Sequence, residues 1–182
     1  MSELALLTTL EREGVVTVGG NPVTLLGNET KQGDPAPDFT ALNTDMKPVS
    51  LSDFRGKVIV LATVGSFDTG TCDTEGNKFN EKIGEFGDSV ACIFVSCDLP
   101  FAQKRWCGAH GIENLMTLSD YRDHSCGLNY GMLVKESKLL ARAIFVIDQD
   151  WVVRYVQIVP EVAHEPEYDP VIDEVRDLLD LN

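Results

Sequence analysis

Val58-Ile59-Val60-Leu61-Ala62-Thr63-Val64 is an unbroken apolar run, rich in β-branched residues, and it reads as a buried strand. The nine residues that follow, Gly65-Ser66-Phe67-Asp68-Thr69-Gly70-Thr71-Cys72-Asp73, hold two glycines and two threonines and read as a loop. From Thr74 to Phe86, apolar Phe79, Ile83 and Phe86 fall at helical spacing. A strand therefore feeds a short loop, the loop feeds a helix, and Cys72 lies at or near the first turn of that helix. Unpaired backbone amides and the positive end of the helix dipole favour an anion there. A free cysteine ionises near pH 8.5, and a helix N-terminus or nearby cations bring that value to roughly 3.5–7.5. One reading of Cys72 is an activated nucleophile. The other is a small apolar residue filling a strand–helix junction. On this stretch alone the two stand level.

The rest of the chain builds one α/β domain around this unit. Residues 1–13 read as an N-terminal arm. Val15-Val16-Thr17-Val18 and Val23-Thr24-Leu25-Leu26 flank Gly19-Gly20-Asn21-Pro22, the pattern of a β-hairpin. Two prolines keep Gly33-Asp34-Pro35-Ala36-Pro37 in a loop. Short strands are expected at Phe39–Leu42 and Lys47–Leu51, and a helical turn closed by glycine at Ser52–Gly56. Val90–Cys97 is a second buried strand, and Pro100 opens a helix that carries Trp106 and Cys107. Leu115–Leu118 is a short strand, and Asp123–Tyr130 a helical stretch stopped by Gly131. Arg142–Asp148 and Val152–Val159 form an antiparallel hairpin. Asp169 is the expected N-cap of a last helix, with Pro170 at its first position and an apolar stripe of Val171, Val175, Leu178 and Leu179. The order of elements predicts a mixed central sheet flanked by helices.

At 182 residues the chain is long enough for one well-cored domain, and no linker, repeat or low-complexity segment divides it. A net charge of −14 argues against nucleic-acid or anionic-membrane partners. No apolar run reaches membrane-spanning length, and Met1-Ser2-Glu3-Leu4 places an acid where a secretory leader carries cations. A cytoplasmic location is the expectation.

There are five cysteines, and none sits in a C-x-x-C pair. Cys92 and Cys97 are an odd number of positions apart on one strand, so they point to opposite faces and read as core residues. Cys107 lies near a helix end in Lys104-Arg105-Trp106-Cys107-Gly108, where fraying costs little. Cys107 and His110, with His124 and Cys126, do not match a zinc-ligand spacing. Arg142 stands at the mouth of an apolar strand. A guanidinium near Cys72 would stabilise its thiolate, but spacing alone does not bring the two together.

Several stretches together resemble the thiol peroxidase branch of the peroxiredoxins. They are Gly33–Phe39, Ser66–Cys72, Asp98-Leu99-Pro100-Phe101-Ala102-Gln103-Lys104-Arg105-Trp106-Cys107-Gly108, Ala141-Arg142-Ala143 and Glu165-Pro166-Glu167-Tyr168. The likeness runs from about residue 14 to residue 180, and the segment ending in Cys107 is highly specific to that branch. It implies a thioredoxin-like fold, a homodimer, and reduction of hydrogen peroxide and organic hydroperoxides with thioredoxin as reductant. It matches Cys72 to the peroxidatic cysteine, Cys107 to the resolving cysteine with which it forms a disulfide, Thr69 to the threonine that hydrogen-bonds cysteine and peroxide, and Arg142 to the active-site arginine. No metal, haem or flavin is implied. Where the family pattern begins its active-site loop with proline, this chain has Gly65, which predicts a looser, slower and more over-oxidisable site. A degenerate site of that kind would make the chain a redox sensor or binding protein instead of an enzyme. Cys126 is additional to the pattern and has no assigned role.

Overall fold

The computed structural model describes residues 10–180. Among the described residues, ten strands form two sheets, accompanied by four α-helices. Strands β1 (Glu11–Val18) and β2 (Asn21–Leu26) pair antiparallel, and β8 (Leu133–Val134) adds to β2. The seven-stranded sheet has the order β10-β9-β5-β6-β7-β3-β4. Its centre is β5 (Val58–Thr63) and β6 (Val90–Ser96), which run parallel, as do β6 and β7 (Met116–Ser119). Parallel neighbours need crossovers, supplied here by α1 (Gly70–Ile83) and α2 (Pro100–His110). Beyond β5 lie β9 (Ala143–Ile147) and β10 (Val153–Ile158), both antiparallel to their neighbours. At the other edge are β3 (Thr40–Leu42) and β4 (Pro48–Ser50). The short α3 spans Ser125–Asn129 and α4 spans Asp169–Leu178.

The central strands are buried throughout, and alternation divides their side chains between two cores. Val58, Val60, Cys92, Phe94, Ile144 and Val146 face α1, α2 and α4, packing with Phe79, Ile83, Trp106 and Val175. Ile59, Leu61, Ile93, Val95 and Phe145 face the other way, packing with Leu25, Leu118, Cys126, Tyr130 and Leu133. Cys92 and Cys97 do lie on opposite sides of this sheet.

Several boundaries differ from the sequence expectation. The first strand begins at Glu11, so residues 11–13 belong to the hairpin and not to an arm; residues 1–9 lie outside the described residues. Helix α1 starts at Gly70, because Thr69 takes the extended N-cap conformation, and this brings Cys72 inside the first turn. The stretch expected as a helix over 123–130 is helical only over 125–129, after a left-handed His124. Tyr168, not Asp169, is the N-cap of α4, without a side-chain capping bond. Strand β8 is too short for any alternation to signal it.

Candidate active site

Two antiparallel neighbours create the site. Strand β5 ends at Thr63 and releases the loop that leads to Cys72. Strand β9 begins beside that end, with Thr63 registered against Ala143 and Thr63 Oγ1 donating to the Ala141 carbonyl at 2.7 Å. The residue between Ala141 and Ala143 is Arg142, so the sheet delivers its side chain to the start of α1. Arg142 Nη2 donates to Cys72 Sγ at 3.2 Å, and Nε donates to the Val162 carbonyl at 3.0 Å. Both partners are buried, with Arg142 and Cys72 each only 1% exposed.

The third member is Glu75, fully buried, whose Oε2 pairs with Arg142 Nη1. Burial raises the Glu75 carboxyl above the usual range, while Arg142 pulls it down. Burial also opposes the Arg142 charge, but attraction to Glu75 and Cys72 outweighs it, and the guanidinium is held above its ordinary value. Glu75 Oε1 has no partner among the described residues. Sequence reasoning missed Glu75. The signal was present: positions 72, 75, 76, 79 and 83 form one stripe of α1, and an acid on a buried stripe needs a cation.

The first intrahelical bond of α1 runs from Asp73 N–H to the Thr69 carbonyl at 3.0 Å, so the amides of Gly70, Thr71 and Cys72 precede the helical ladder. They crowd positive potential around the sulfur. Thr71 Oγ1 fastens this turn to the Ala163 carbonyl at 2.9 Å. Thr69 stands at the N-cap, and its hydroxyl donates to the Ser66 carbonyl at 2.8 Å, which commits its one proton away from Cys72 and leaves its lone pairs as acceptors.

The loop between β5 and α1 is pinned by Asp98, a second residue that sequence reasoning missed. Asp98 accepts from Ser66 Oγ at 2.6 Å, Phe67 N–H at 2.9 Å and Ser96 Oγ at 2.8 Å. Gly65 opens this loop outside the left-handed region, with the Leu140 carbonyl 3.8 Å from where a Cβ would stand.

Cys107 is a half-buried free thiol on α2, 3.5 Å from Thr117 Oγ1. The cations beside it in sequence face elsewhere: Lys104 pairs with Asp45 at 2.8 Å and Arg105 lies 3.7 Å from Asp68. Burial pushes the Cys107 thiol up, with the Thr117 bond working against it. Among the four site residues that the sequence singled out, Cys72 and Arg142 are in direct contact, Thr69 is one helical turn away, and Cys107, on the neighbouring helix, has a separate partner in Thr117 of β7. His110 faces Asp73 and His124 faces Cys97 Sγ, so the C-x-x-H pair and the second pair diverge.

The sequence pattern of the Redoxin family matches residues 31–172. A thiol peroxidase of Halalkalibacterium halodurans is 50% identical over 88% of this chain and 96% of its own length. A thiol peroxidase of Bacillus subtilis is 46% identical over 90% of this chain and 98% of its own. The crystal structure of a peroxiredoxin-like protein from Aquifex aeolicus superposes with a TM-score of 0.85 at 43% identity, over 90% of this chain and 96% of that one. A thiol whose nearest charge is a buried guanidinium, on a thioredoxin-like sheet shared with these proteins, agrees with the likeness in sequence: the chain belongs to the redoxin family, in its thiol peroxidase branch.

Proposed function

We propose that the chain is a thiol-dependent peroxidase that reduces hydrogen peroxide and organic hydroperoxides through Cys72. The observation that carries this reading is the 3.2 Å contact between Arg142 Nη2 and Cys72 Sγ at the amide-rich start of α1. The Cys72 thiolate attacks the distal oxygen of the hydroperoxide. The O–O bond breaks, its electron pair leaves with the proximal oxygen as alkoxide or hydroxide, and water protonates it. Arg142 and the first-turn amides stabilise the charge that builds on these oxygens. The Thr69 oxygen accepts the O–H of the bound hydroperoxide.

Cys72 is left as a sulfenic acid. Cys107 attacks it, a disulfide forms and water departs. A thioredoxin-type dithiol then reduces the disulfide by two exchange steps. Both thiols are free and contact separate partners, Arg142 for Cys72 and Thr117 for Cys107, so both leave these partners and the helix ends loosen for this step. Raised by burial, the Cys107 thiol becomes a nucleophile when it reaches water. A homodimer and a cytoplasmic location belong to the same proposal. Leu99 and Phe101, 50% and 65% exposed, offer an apolar face for a second copy. Among the described residues no helix is long and apolar enough to cross a membrane.

Stopped-flow peroxide reduction with a thioredoxin system tests the reading. Wild-type protein should turn over many equivalents, Cys72→Ser none, and Cys107→Ser one equivalent that leaves a trapped sulfenic acid. A wild-type protein that oxidises once and stops would be a sensor, and one in which Cys72 stays inert would be neither.

A further inference from the structure

The residue after Cys72 ties the two cysteine-bearing helices together. Asp73 Oδ1 accepts from Trp106 Nε1 at 2.8 Å and lies 3.2 Å from His110 Nε2. Trp106 immediately precedes Cys107, and His110 is the last residue of α2. The indole is firmly seated. It stacks on Phe67 with centroids 4.3 Å apart, and it lies so close over Gly76 that a Cβ there would fall 2.6 Å from Trp106 Cη2. One carboxylate therefore joins the first turn of the Cys72 helix to the last turns of the Cys107 helix. Neither helix has a side-chain capping bond at its N-terminus, and α2 ends on a left-handed Gly111. Beside this seam runs an open groove of about 410 Å³, bordered by Asp68, Asp73, Arg105 and His110, which gives unwinding ends room to move.

We infer that Asp73 is a positioning residue for the resolving step, a bolt whose strength sets how often the two helix ends open. The inference rests on the peroxidase reading above. While the bolt is closed, the Cys72 sulfenic acid is held away from Cys107. A second hydroperoxide then has time to act: the sulfenate sulfur takes one oxygen, becomes sulfinate, and releases the alcohol or water. Once the bolt opens, Cys107 attacks and the disulfide forms. Asp73 thus controls the partition between resolution and over-oxidation without touching substrate or sulfur.

The test compares wild type with Asp73→Ala, Asp73→Asn, Trp106→Phe and the Asp73→Ala/Trp106→Phe double variant, each full-length and turning over hydrogen peroxide with a thioredoxin system. Two quantities are read: the second-order rate of Cys72 oxidation, and the peroxide concentration at which half the protein carries sulfinic acid by intact mass. For Asp73→Ala that concentration should rise about tenfold, the scale of one lost charge-assisted hydrogen bond, while Cys72 oxidation stays within about threefold. Trp106→Phe keeps an aromatic ring over Gly76 but loses the donor, and should shift it in the same direction. Asp73→Asn keeps an acceptor for Trp106 and should shift it less. The double variant should go no further than Asp73→Ala alone. An unchanged or lower half-point in Asp73→Ala, or a Cys72 oxidation rate that falls as far as the half-point moves, would overturn the inference. The near-isosteric Asp73→Asn guards against misfolding, because an Asn variant that is folded and shifted further than the Ala variant also overturns it. If wild type forms the Cys72–Cys107 disulfide and the variants partition as it does, only the bolt fails. If wild type never forms that disulfide, the peroxidase reading and the bolt fall together.

Discussion

Cys72, on the helical face of the central sheet, and Cys97 and Cys126, on the other, sit in opposite electrostatic settings. On the helical face, Cys72 is almost sealed from solvent, and its nearest charge is the Arg142 guanidinium at 3.2 Å. On the other face, Cys126 is sealed just as fully and Cys97 is half-buried, with His124 Nδ1 3.6 Å from the Cys97 sulfur. The charges that act on these two thiols are negative. Burial pushes Cys97 up to about 12, with Asp120 and Asp98 adding to it. Burial likewise drives Cys126 far above the ordinary thiol value, with Asp120 again adding. Burial is the main reason that Cys97 and Cys126 stay protonated, and the anions beside them add to it; Cys72 is buried as deeply as Cys126 but has a cation against its sulfur. A cation delivered by a neighbouring strand touches Cys72, whereas burial, reinforced by nearby anions, keeps Cys97 and Cys126 neutral.

Removing the cation is the strongest way to break this contrast. Arg142→Met should slow peroxide reduction by about 10²–10³-fold, the usual loss when one preorganised charge donor leaves an active site. It also strands Glu75 in the core, at a cost on the order of 3–5 kcal/mol. Adding Glu75→Gln to Arg142→Met should restore part of the stability and none of the rate. Urea unfolding and stopped-flow kinetics read the two effects separately. An Arg142→Met protein that reduces peroxide at the wild-type rate would leave the two faces without a chemical difference.

Labelling with a small electrophile at pH 7 sharpens the same comparison. Cys97, ionising only at about 12, has a thiolate fraction of ~10⁻⁵ at that pH. Cys72 should be alkylated at least about 10²-fold faster than Cys97 or Cys126, and peptide mass mapping measures the ratio. Pretreatment with one equivalent of hydrogen peroxide should abolish labelling of Cys72 and leave the other two unchanged. If Cys97 or Cys126 reacts first, the nearest charge is not what separates them.

Much of this was legible in the sequence because it depends on local pattern. The apolar run 58–64, the helical spacing after it and the proline that opens α2 are properties of neighbouring residues, and each element formed, although α1 begins at Gly70, ahead of its expected start. The odd spacing of Cys92 and Cys97 placed them on opposite faces. What stayed hidden depends on which strands become neighbours. Nothing between residues 72 and 142 reveals that β9 pairs antiparallel with β5, yet that pairing alone sets Arg142 beside Cys72. Glu75 and Asp98 look like ordinary surface acids until the cation or the loop amides that they serve come into place. Tyr168 displaces Asp169 as the cap of α4, a shift of one residue that local propensity does not resolve.

Two carboxylates extend the comparison to acid. Glu161 accepts from the amides of Gly19, Gly20 and Ala163 and from Thr17 Oγ1, clasping the β1–β2 turn to the segment whose Val162 carbonyl holds Arg142. Those bonds lower its pKa from the ordinary 4.5 to about 2. Asp120 accepts from the amides of Cys126 and Gly127 at 3.0 and 2.8 Å, but burial outweighs those bonds and raises it. The signs are opposite. The lowered Glu161 contributes stability that is fully present above about 4.5 and is lost as pH falls towards about 2. The raised Asp120 takes up its proton at higher pH than an ordinary aspartate does. In an NMR titration towards acid, the Gly127 amide should therefore move first and the Gly19 and Gly20 amides last. The reverse order would mean that the amide bonds outweigh burial at Asp120.

The smallest effect concerns Gly65, where the family pattern has proline. The conformation there is not left-handed, and its amide makes no hydrogen bond among the described residues. A proline ring therefore has no hydrogen bond to remove, and the nearest atom to a new Cβ is the Leu140 carbonyl at 3.8 Å. Glycine here costs conformational entropy that the fold does not need to spend, so Gly65→Pro should stabilise by about 0.4–1 kcal/mol. Asp98 already fixes Ser66 and Phe67 from the far side of the loop, so little looseness remains for proline to remove. Peroxide reduction should rise by no more than about 2–5-fold, the factor that such an energy allows. Thermal unfolding and stopped-flow kinetics measure the two. A rise of a hundredfold would mean that the loop is far looser than the Asp98 contacts imply.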